Sequence, residues 1–505
     1  MKGAGIAEDA PNGGAPAPAD ETGPPETLDK RRLAVFSIMV IGLFFCMLDT
    51  QIVAASIPKI QTSLAASADE VSWLQTSYLI AEVIIIPITG YLIRALSSRV
   101  VFALAMAGFT LASLGCAMAW NLQSLVIMRA FQGIASGLPI PIIYAIAFSA
   151  FPRRHQGPMA AAMGLIVTMA PTVGPTLGGA ITEQYSWHWL FLINVIPGAV
   201  ITAVVWLYAD FDKADHGLLK RFDLTAFALL GLALGLGQYV LEEGPDNDWF
   251  ASPSIALMSA VALCCFAWFL SRTLSAREPI VDLRALQNRN FLLGNIMGLA
   301  MGAMFYGLTF ILPLFLGRVR GYSAMEIGAT LAVSGAAMFV AAPFSGLSSR
   351  RFDPRIVAGA GFLLLGWSAY ALTKITAEWD FWELFWPQVA RGVGLMFAMQ
   401  TISVTAMGSL TPAQVKSASG VFNLTRMLGA AISLAALNTV LTDRTAFHAR
   451  MLLDRLEWGR VPAIETLGAL AGAFEAGGAA DPDRAPKKAM GLIVQREAAV
   501  LAIGD

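Results

Sequence analysis

Charge is what this sequence has least of for its length. Asp, Glu, Lys and Arg make up 14% of its 505 residues, against 56% hydrophobic residues, whereas water-soluble domains carry about 25% charge. That excludes a soluble globular protein and leaves a chain that crosses a membrane many times. The formal net charge is −1, so no basic surface argues for nucleic acid, and none is expected as a partner. Cysteine is scarce too. Cys46, Cys116, Cys264 and Cys265 all lie in apolar runs, where cysteine behaves as a small hydrophobe. The histidines (His155, His188, His216 and His448) are scattered, and neither HExxH nor CxxC occurs. No metal or cofactor is expected. A polytopic enzyme needs a clustered His, Asp or Ser centre, which is missing, so the chain is not expected to be an enzyme.

Long apolar runs are what it has instead. A membrane span needs about 20 apolar residues, and thirteen candidates are found: 33–57, 72–95, 99–119, 122–148, 158–182, 187–209, 222–242, 252–271, 290–316, 326–348, 355–374, 383–409 and 417–441. Residues 1–29, rich in Ala, Gly and Pro, read as a disordered tail without the features of a signal peptide. One set of connections carries Lys30, Arg31, Arg32, Arg153, Arg154, Lys220, Arg221, Arg350, Arg351 and Arg355, while the other holds Lys59, Arg318, Arg320 and Lys374. The positive-inside rule puts the N-terminus in the cytoplasm. Residues 442–505 are mixed and charged and are expected outside, with an amphipathic helix near Thr445–Leu456. The final run from Gly491 carries Gln495, Arg496 and Glu497 at its centre and is too short to span.

Within the fifth run, Ala170–Gly179 reads APTVGPTLGG. Proline removes a helix donor and clashes with the preceding turn, and lipid tolerates this only where protein or a cavity surrounds the helix. Gly174 and Gly178 share one face and permit close helix approach. Together with Pro171, Pro175 and Gly179 they predict a bent, tightly packed seam.

The sequence also repeats. Pro87-Ile-Thr-Gly90 and Pro343-Phe-Ser-Gly346 end spans 2 and 10, and at the same offset Arg94 matches Arg350 and Arg99 matches Arg355. Arg129-Ala-Phe-Gln132-Gly133 lies opposite Gln388-Val-Ala-Arg391-Gly392, with arginine and glutamine exchanged. Two homologous halves follow, an arrangement in which transporters hold substrate between the halves near the midplane. Residues 30–210 are expected to form the first half, 211–275 an inserted pair of spans, 276–441 the second half with five spans, and 442–505 an outward-facing loop.

The ionisable residues embedded in the spans are Asp49, Glu82, Arg129, Arg391 and Arg426. A charge at the centre of a span costs about 2.5–3.5 kcal/mol on insertion scales, so each needs a partner or a wet cavity. Asp49, Glu82 and Arg129 lie at comparable depth and are expected to form one buried cluster, with Asp49 or Glu82 carrying a proton and Arg129 biasing its affinity. The bland alternative is a fixed Asp49–Arg129 ion pair. Arg391 and Arg426 have no acid within their own half; they serve structure or neutralise an anionic substrate.

These residues resemble the major facilitator superfamily, and within it the fourteen-span drug:proton antiporters of the EmrB/QacA type, over residues 30–445. Leu48-Asp49-Thr50 through Ile57-Pro58 is similar to the span 1 signature LDxTIVNVALP, with Gln51 and Ala54 departing from it. Arg129, Gln132, Gly133 and Gly137 match RxxQGxxxG of span 4. Ala170–Gly179 resembles the span 5 antiporter motif, which importers generally lack. Asn194 with Pro197-Gly198 resembles INVPIG, and Asn423, Arg426 and Gly429 resemble span 13. Arg94 replaces the acidic residue of the loop signature GxLaDRxGRR.

The resemblance implies an all-α facilitator fold of two six-helix halves plus two inserted helices, with a fourteenth and last helix expected beyond the loop 442–505 and missing from this chain. It implies proton-driven export of amphipathic or hydrophobic small molecules, and in Gram-negative cells a periplasmic adaptor and an outer-membrane channel as partners. It places Gln132, Arg391, Asn423 and Arg426 on the substrate pathway, and Gly90, Arg94, Arg99, Gly346, Arg350 and Arg355 in a cytoplasmic gate. The expected substrate cavity is apolar, lined by residues such as Met301, Phe305, Met396 and Met399. The alternatives are a facilitator-fold importer and an exporter of one specific metabolite.

Overall fold

The thirteen apolar runs are all helices. The computed structural model describes residues 29–276, 278–457 and 484–504, and among the described residues every regular element is helical. Spans 1 to 6 are Lys30–Ala54, Glu70–Leu96, Ser98–Ala117, Leu122–Ser149, Arg153–Gln184 and Trp189–Tyr208. Spans 7 and 8 are Leu224–Glu243 and Pro253–Ser275. Spans 9 to 13 are Arg289–Arg318, Met325–Ser348, Pro354–Leu372, Phe381–Gly408 and Pro412–Asp454. The expected disordered tail, apart from Asp29, lies outside the described residues, as does the stretch from 458 to 483.

Local chemistry sets the helix ends. Ser67 with Glu70, Asn121 with Ser124, Ser323 with Glu326, and Asp380 with Glu383 form reciprocal capping boxes, which satisfy donors that a helix start otherwise leaves bare. Proline acts differently from place to place. Span 2 tightens into a 3₁₀ turn at Ile86–Ile88 around Pro87. Span 4 is divided between Leu122–Ser136 and Pro139–Ser149. Span 5, by contrast, runs as one helix through Pro158, Pro171 and Pro175.

Two bundles result. Spans 1 to 6 pack through spans 1 with 5, 2 with 4, and 3 with 4 and 6; spans 9 to 13 pack through 9 with 13 and 12 with 10 and 11. The bundles meet along two seams. One joins span 5 to spans 10 and 12. The other joins span 13 to the second halves of spans 2 and 4, all at the end of the bundle that bears Lys30, Arg153 and Arg355, here called the basic end. Span 7 lies along span 2 and also touches span 13, and the turn after it is tied down by Trp249 Nε1 donating to Thr439 Oγ1 at 2.9 Å. Span 7 therefore lines the second seam from outside, with span 8 packed on it.

The tail departs from expectation. Residues 412–457 form a single helix of 46 residues, about 69 Å long, more than twice the roughly 30 Å of a bilayer core. The amphipathic segment near Thr445–Leu456 is thus the extension of span 13 rather than a separate element. Arg484–Gly504, expected as a loop, is a 21-residue helix packed on span 13 and span 9. Met490, Val494, Ala498 and Ala502 are its buried stripe, an every-fourth-residue pattern that lays one face on a partner. Its polar centre is spent outside that stripe, where Arg496 donates to the Ala377 carbonyl at 3.4 Å.

Candidate transport core

Two glycines of span 4 build the first part of the site. A side chain on Gly133 would strike the carbonyl of Tyr78, and one on Gly137 would come within 2.5 Å of Ile85 and 2.9 Å of the Glu82 carbonyl. Their absence of side chains lets spans 2 and 4 close up, which sets Arg129 against span 2.

Arg129 is completely buried and is held through two of its three nitrogens. Its Nη1 donates to Asp49 Oδ2 at 2.6 Å and to Gln132 Oε1 at 2.7 Å, and its Nε donates to the Leu74 carbonyl at 3.2 Å. The Tyr78 ring lies 4.2 Å from the guanidinium carbon. Asp49 in turn accepts from Gln132 Nε2 at 3.0 Å and from Asn194 Nδ2 at 2.6 Å, and Gln132 also donates to Ser113 Oγ at 2.8 Å. This network ties spans 1, 2, 3, 4 and 6 into one body. It places Gln132, which the resemblance sets on the substrate pathway, inside the first bundle with both ends of its amide used. Ser113 was not singled out from the sequence, and Asn194 was noted only for its resemblance to the INVPIG motif. Both are polar residues in apolar runs, which was the available signal.

Glu82 stands apart from this network. It is 3% exposed, its Oε1 has no hydrogen-bond partner, and among the described residues no ion pair holds it. Arg129 of span 4 and Arg426 of span 13 both act on it electrostatically, as Glu82 and Arg426 do on Tyr306 of span 9. Four residues further along span 2, Ile86 and Pro87 meet Gly420, whose added side chain would sit 2.9–3.0 Å from their carbonyls. Glu82 is thus on the surface where the two bundles face one another, directly beyond a backbone-tight contact. The expected single cluster resolves into a fixed Asp49–Arg129 pair and a separate acid.

The second half also buries an arginine in span 12, at the position opposite Gln132 in the repeat. Arg391 donates to the Leu308 carbonyl at 2.9 Å, to Ser334 Oγ at 2.8 Å and to Gln388 Oε1 at 3.2 Å. Arg426 donates to Asn423 Oδ1 at 3.3 Å, and Asn423 donates to the Ser419 carbonyl at 2.9 Å. Met396 and Met399, expected along the cavity, face Gly164 of span 5 across the seam.

The APTVGPTLGG segment is gripped from two sides. Gly174 sits against Gln51, and a side chain on Gly178 would fall 2.8 Å from the Ile52 carbonyl, so span 5 lies on span 1 beside Asp49. On its other face Thr176 fills the space over Gly328 and Thr172 that over Gly335 of span 10. Span 5 is the shared element between bundles. Gly174→Leu and Gly178→Leu are each expected to block transport while the chain still inserts, measured as export activity against the amount of membrane-integrated protein. Normal transport by both variants would return the motif to ordinary packing.

The expected gate residues divide. Gly90 meets the backbone of Lys416 and Ser417, at 2.5 and 2.7 Å from an added side chain, and Gly346 meets Pro158, so both glycines lie on a seam between bundles. Arg94 stacks on Tyr91 and Arg99 on Trp206, and among the described residues neither arginine forms an ion pair. Arg355 is exposed and its backbone is capped by Asp353; the Arg350 side chain lies outside the described residues. An ion pair that does bridge at this end comes from elsewhere. Asp212, in the connection after span 6, accepts from Ser98 N at 2.9 Å and Ser98 Oγ at 2.8 Å, and pairs with Lys416 of span 13 at 3.3 Å. It caps span 3, which has no cap of its own, and latches it to the other half. Lys416→Met breaks the latch but leaves the cap. It is expected to shift the closed-to-open ratio at the basic end by about 1–2 kcal/mol, a factor of about 5–30. Spin labels at Arg153 and Arg355 report this as a gain of longer distances, which Lys416→Arg does not produce. An unchanged distribution in Lys416→Met would leave Asp212 as a cap only.

Comparison with known proteins agrees with this architecture. The family model for the Major Facilitator Superfamily matches residues 39–434. The chain is 38% identical to the colistin resistance protein EmrB of Acinetobacter baumannii, over 84% of this chain and 83% of that one. It is 28% identical to the multidrug export protein EmrB of Escherichia coli, over 85% and 84%. Among solved structures, the human organic anion transporter MFSD10 superposes with a TM-score of 0.59 at 15% identity, covering 82% of this chain and 94% of that one; this likeness concerns the fold.

Proposed function

This chain belongs to the major facilitator superfamily, among its EmrB-type multidrug efflux transporters, and from that premise we propose that it exchanges protons for amphipathic or hydrophobic small molecules. The family is one of transporters and not of enzymes. The observation that carries the proposal is the position of Glu82. An acid with a free oxygen, buried between two bundles that must move against one another, changes its exposure when they rock. Asp49 does not. Its acceptors are filled by donors from its own bundle, which moves as a body, so its surroundings stay the same throughout the cycle.

On this reading Glu82 takes a proton from one side when the seam is open there and gives it up on the other. Substrate uses the same inter-bundle space in the opposite phase, with Asn423, Arg426 and Arg391 along its path. No cofactor is needed, because the gradient supplies roughly 2.3 kcal/mol for each charge crossing 100 mV. The basic end faces the cytoplasm of the bacterial inner membrane by the positive-inside rule, so the N-terminus is inside. The extension of span 13 and the helix Arg484–Gly504 then project outward, where a periplasmic adaptor leading to an outer-membrane channel has a surface to engage.

Inverted vesicles test the direction and the coupling together. Added substrate should accumulate inside when the lumen is acidified and should release protons from it. Accumulation that ignores the gradient would sink the proton reading, and accumulation in right-side-out vesicles would favour import.

A further inference from the structure

Two buried charges of opposite sign belong to the spans that meet at the second seam. Glu82 of span 2 is 3% exposed and its Oε1 accepts nothing. Arg426 of span 13 is 6% exposed, its Nε donates to nothing, and its Nη2 donates to Asn423 Oδ1 at 3.3 Å. The packing of the two spans brings these residues to one depth. Spans 2 and 13 run antiparallel: Gly90 lies on Lys416 and Ser417, and Gly420 lies on Ile86 and Pro87. One further turn takes span 2 from Ile86 to Glu82 and span 13 from Gly420 to Leu424, between Asn423 and Arg426. Asn423 is itself fixed by donating to the Ser419 carbonyl at 2.9 Å, so it offers Arg426 a fixed acceptor.

The other titratable groups around Glu82 are accounted for. Cys46 of span 1, Tyr78 of its own span and Tyr306 of span 9 supply no cation. Arg129 of span 4 is paired with Asp49 of span 1 at 2.6 Å. Span 7 meets span 2 at Ile80 and Ile84 through Gly231 and Gly235. Its Tyr239 lies on Trp73, more than two turns from Glu82, with Glu242 and Glu243 beyond it. Among the described residues, Arg426 is therefore the cation acting on Glu82 that no carboxylate holds. A buried carboxylate is costly unless a counter-charge meets it, so a charged Glu82 draws Arg426 and a neutral one does not.

We infer that Arg426 is the positioning residue for proton exchange at Glu82, pairing with the charged carboxylate across the seam and letting go when Glu82 is protonated. The pair ties span 2 to span 13 and so locks the empty, deprotonated transporter against rocking. A proton releases the lock by neutralising Glu82, and a substrate in the same space releases it by parting the two side chains. Exchange needs such a lock, since an empty carrier that rocked in both protonation states would let the gradient run down. This rests on the proton reading above, and it is tested without substrate. In proteoliposomes of the full chain, R426K treated with dicyclohexylcarbodiimide should form an amide between Glu82 and the new amine. Mass spectrometry reads this cross-link, which should be absent in E82Q/R426K. Under an imposed pH gradient, with potassium and valinomycin balancing charge, R426Q should collapse the gradient at least about tenfold faster than the unaltered chain. R426K, which keeps the charge, should stay tight, and so should E82Q/R426Q, which has no carrier left. No cross-link in R426K would overturn the pairing, whether or not R426Q folds. With the cross-link formed, a tight R426Q, or a leak persisting in E82Q/R426Q, would overturn the proton reading instead.

Discussion

Glu82→Gln should abolish gradient-driven accumulation of substrate while leaving downhill exchange in place. The amide keeps the size of the side chain and the packing of span 2 on Gly137, so the path between the bundles stays open to substrate. What it removes is the group that can be charged in one phase and neutral in the other. Each proton coupled to 100 mV is worth roughly 2.3 kcal/mol, or about a 50-fold concentration ratio, and that ratio should fall to unity. The measurement is the steady-state accumulation in inverted vesicles, set beside counterflow in the absence of a gradient. Wild-type accumulation by both Glu82→Gln and Asp49→Asn would remove the two acids from the mechanism. Loss of counterflow together with accumulation in Glu82→Gln would make Glu82 a packing residue.

Asp49→Ala should act on the fold rather than on coupling. It leaves Arg129, which is fully buried, without a counter-charge, and it deprives Gln132 and Asn194 of their shared acceptor. Breaking a buried pair from one side costs about 3–5 kcal/mol, because the remaining charge has nowhere to be solvated. Low yield of integrated protein and a lower unfolding temperature in detergent are the expected result. The diagnostic is the double variant Asp49→Ala with Arg129→Leu, which should be more stable than Asp49→Ala alone, since it removes the stranded charge. A single Asp49→Ala variant with unaltered stability would show that the network is not what holds spans 1, 2, 3, 4 and 6 together.

Some of this was legible because lipid is an unforgiving solvent for polar groups. Asp49, Glu82, Arg129, Arg391 and Arg426 stand out from apolar runs for that reason, and glycine pairs such as Gly133 with Gly137 and Gly174 with Gly178 announce helices in close contact. Asp212 and Lys416 were not legible. Each is an ordinary charge in a connection or at a helix start, where charges are common, and only their meeting across the halves gives them a role. The helix Arg484–Gly504 was missed because a run with Gln495, Arg496 and Glu497 at its centre fails as a span, yet its period of four serves equally well for lying on span 13.

The sequence by itself determined that this chain is a helical membrane protein of thirteen apolar spans in two repeated halves, with a handful of charges that require partners. Hydrophobic length and periodicity are local properties, and they survive without knowledge of the fold. Only the tertiary structure decided how those charges divide. Asp49 and Arg129 are 80 residues apart in the chain and 2.6 Å apart in space, whereas Glu82, similar in kind and in depth, is left with a free oxygen between the bundles. Partnership between charges depends on which helices pack together and on which side of a seam each one falls, and no window along the sequence contains that information.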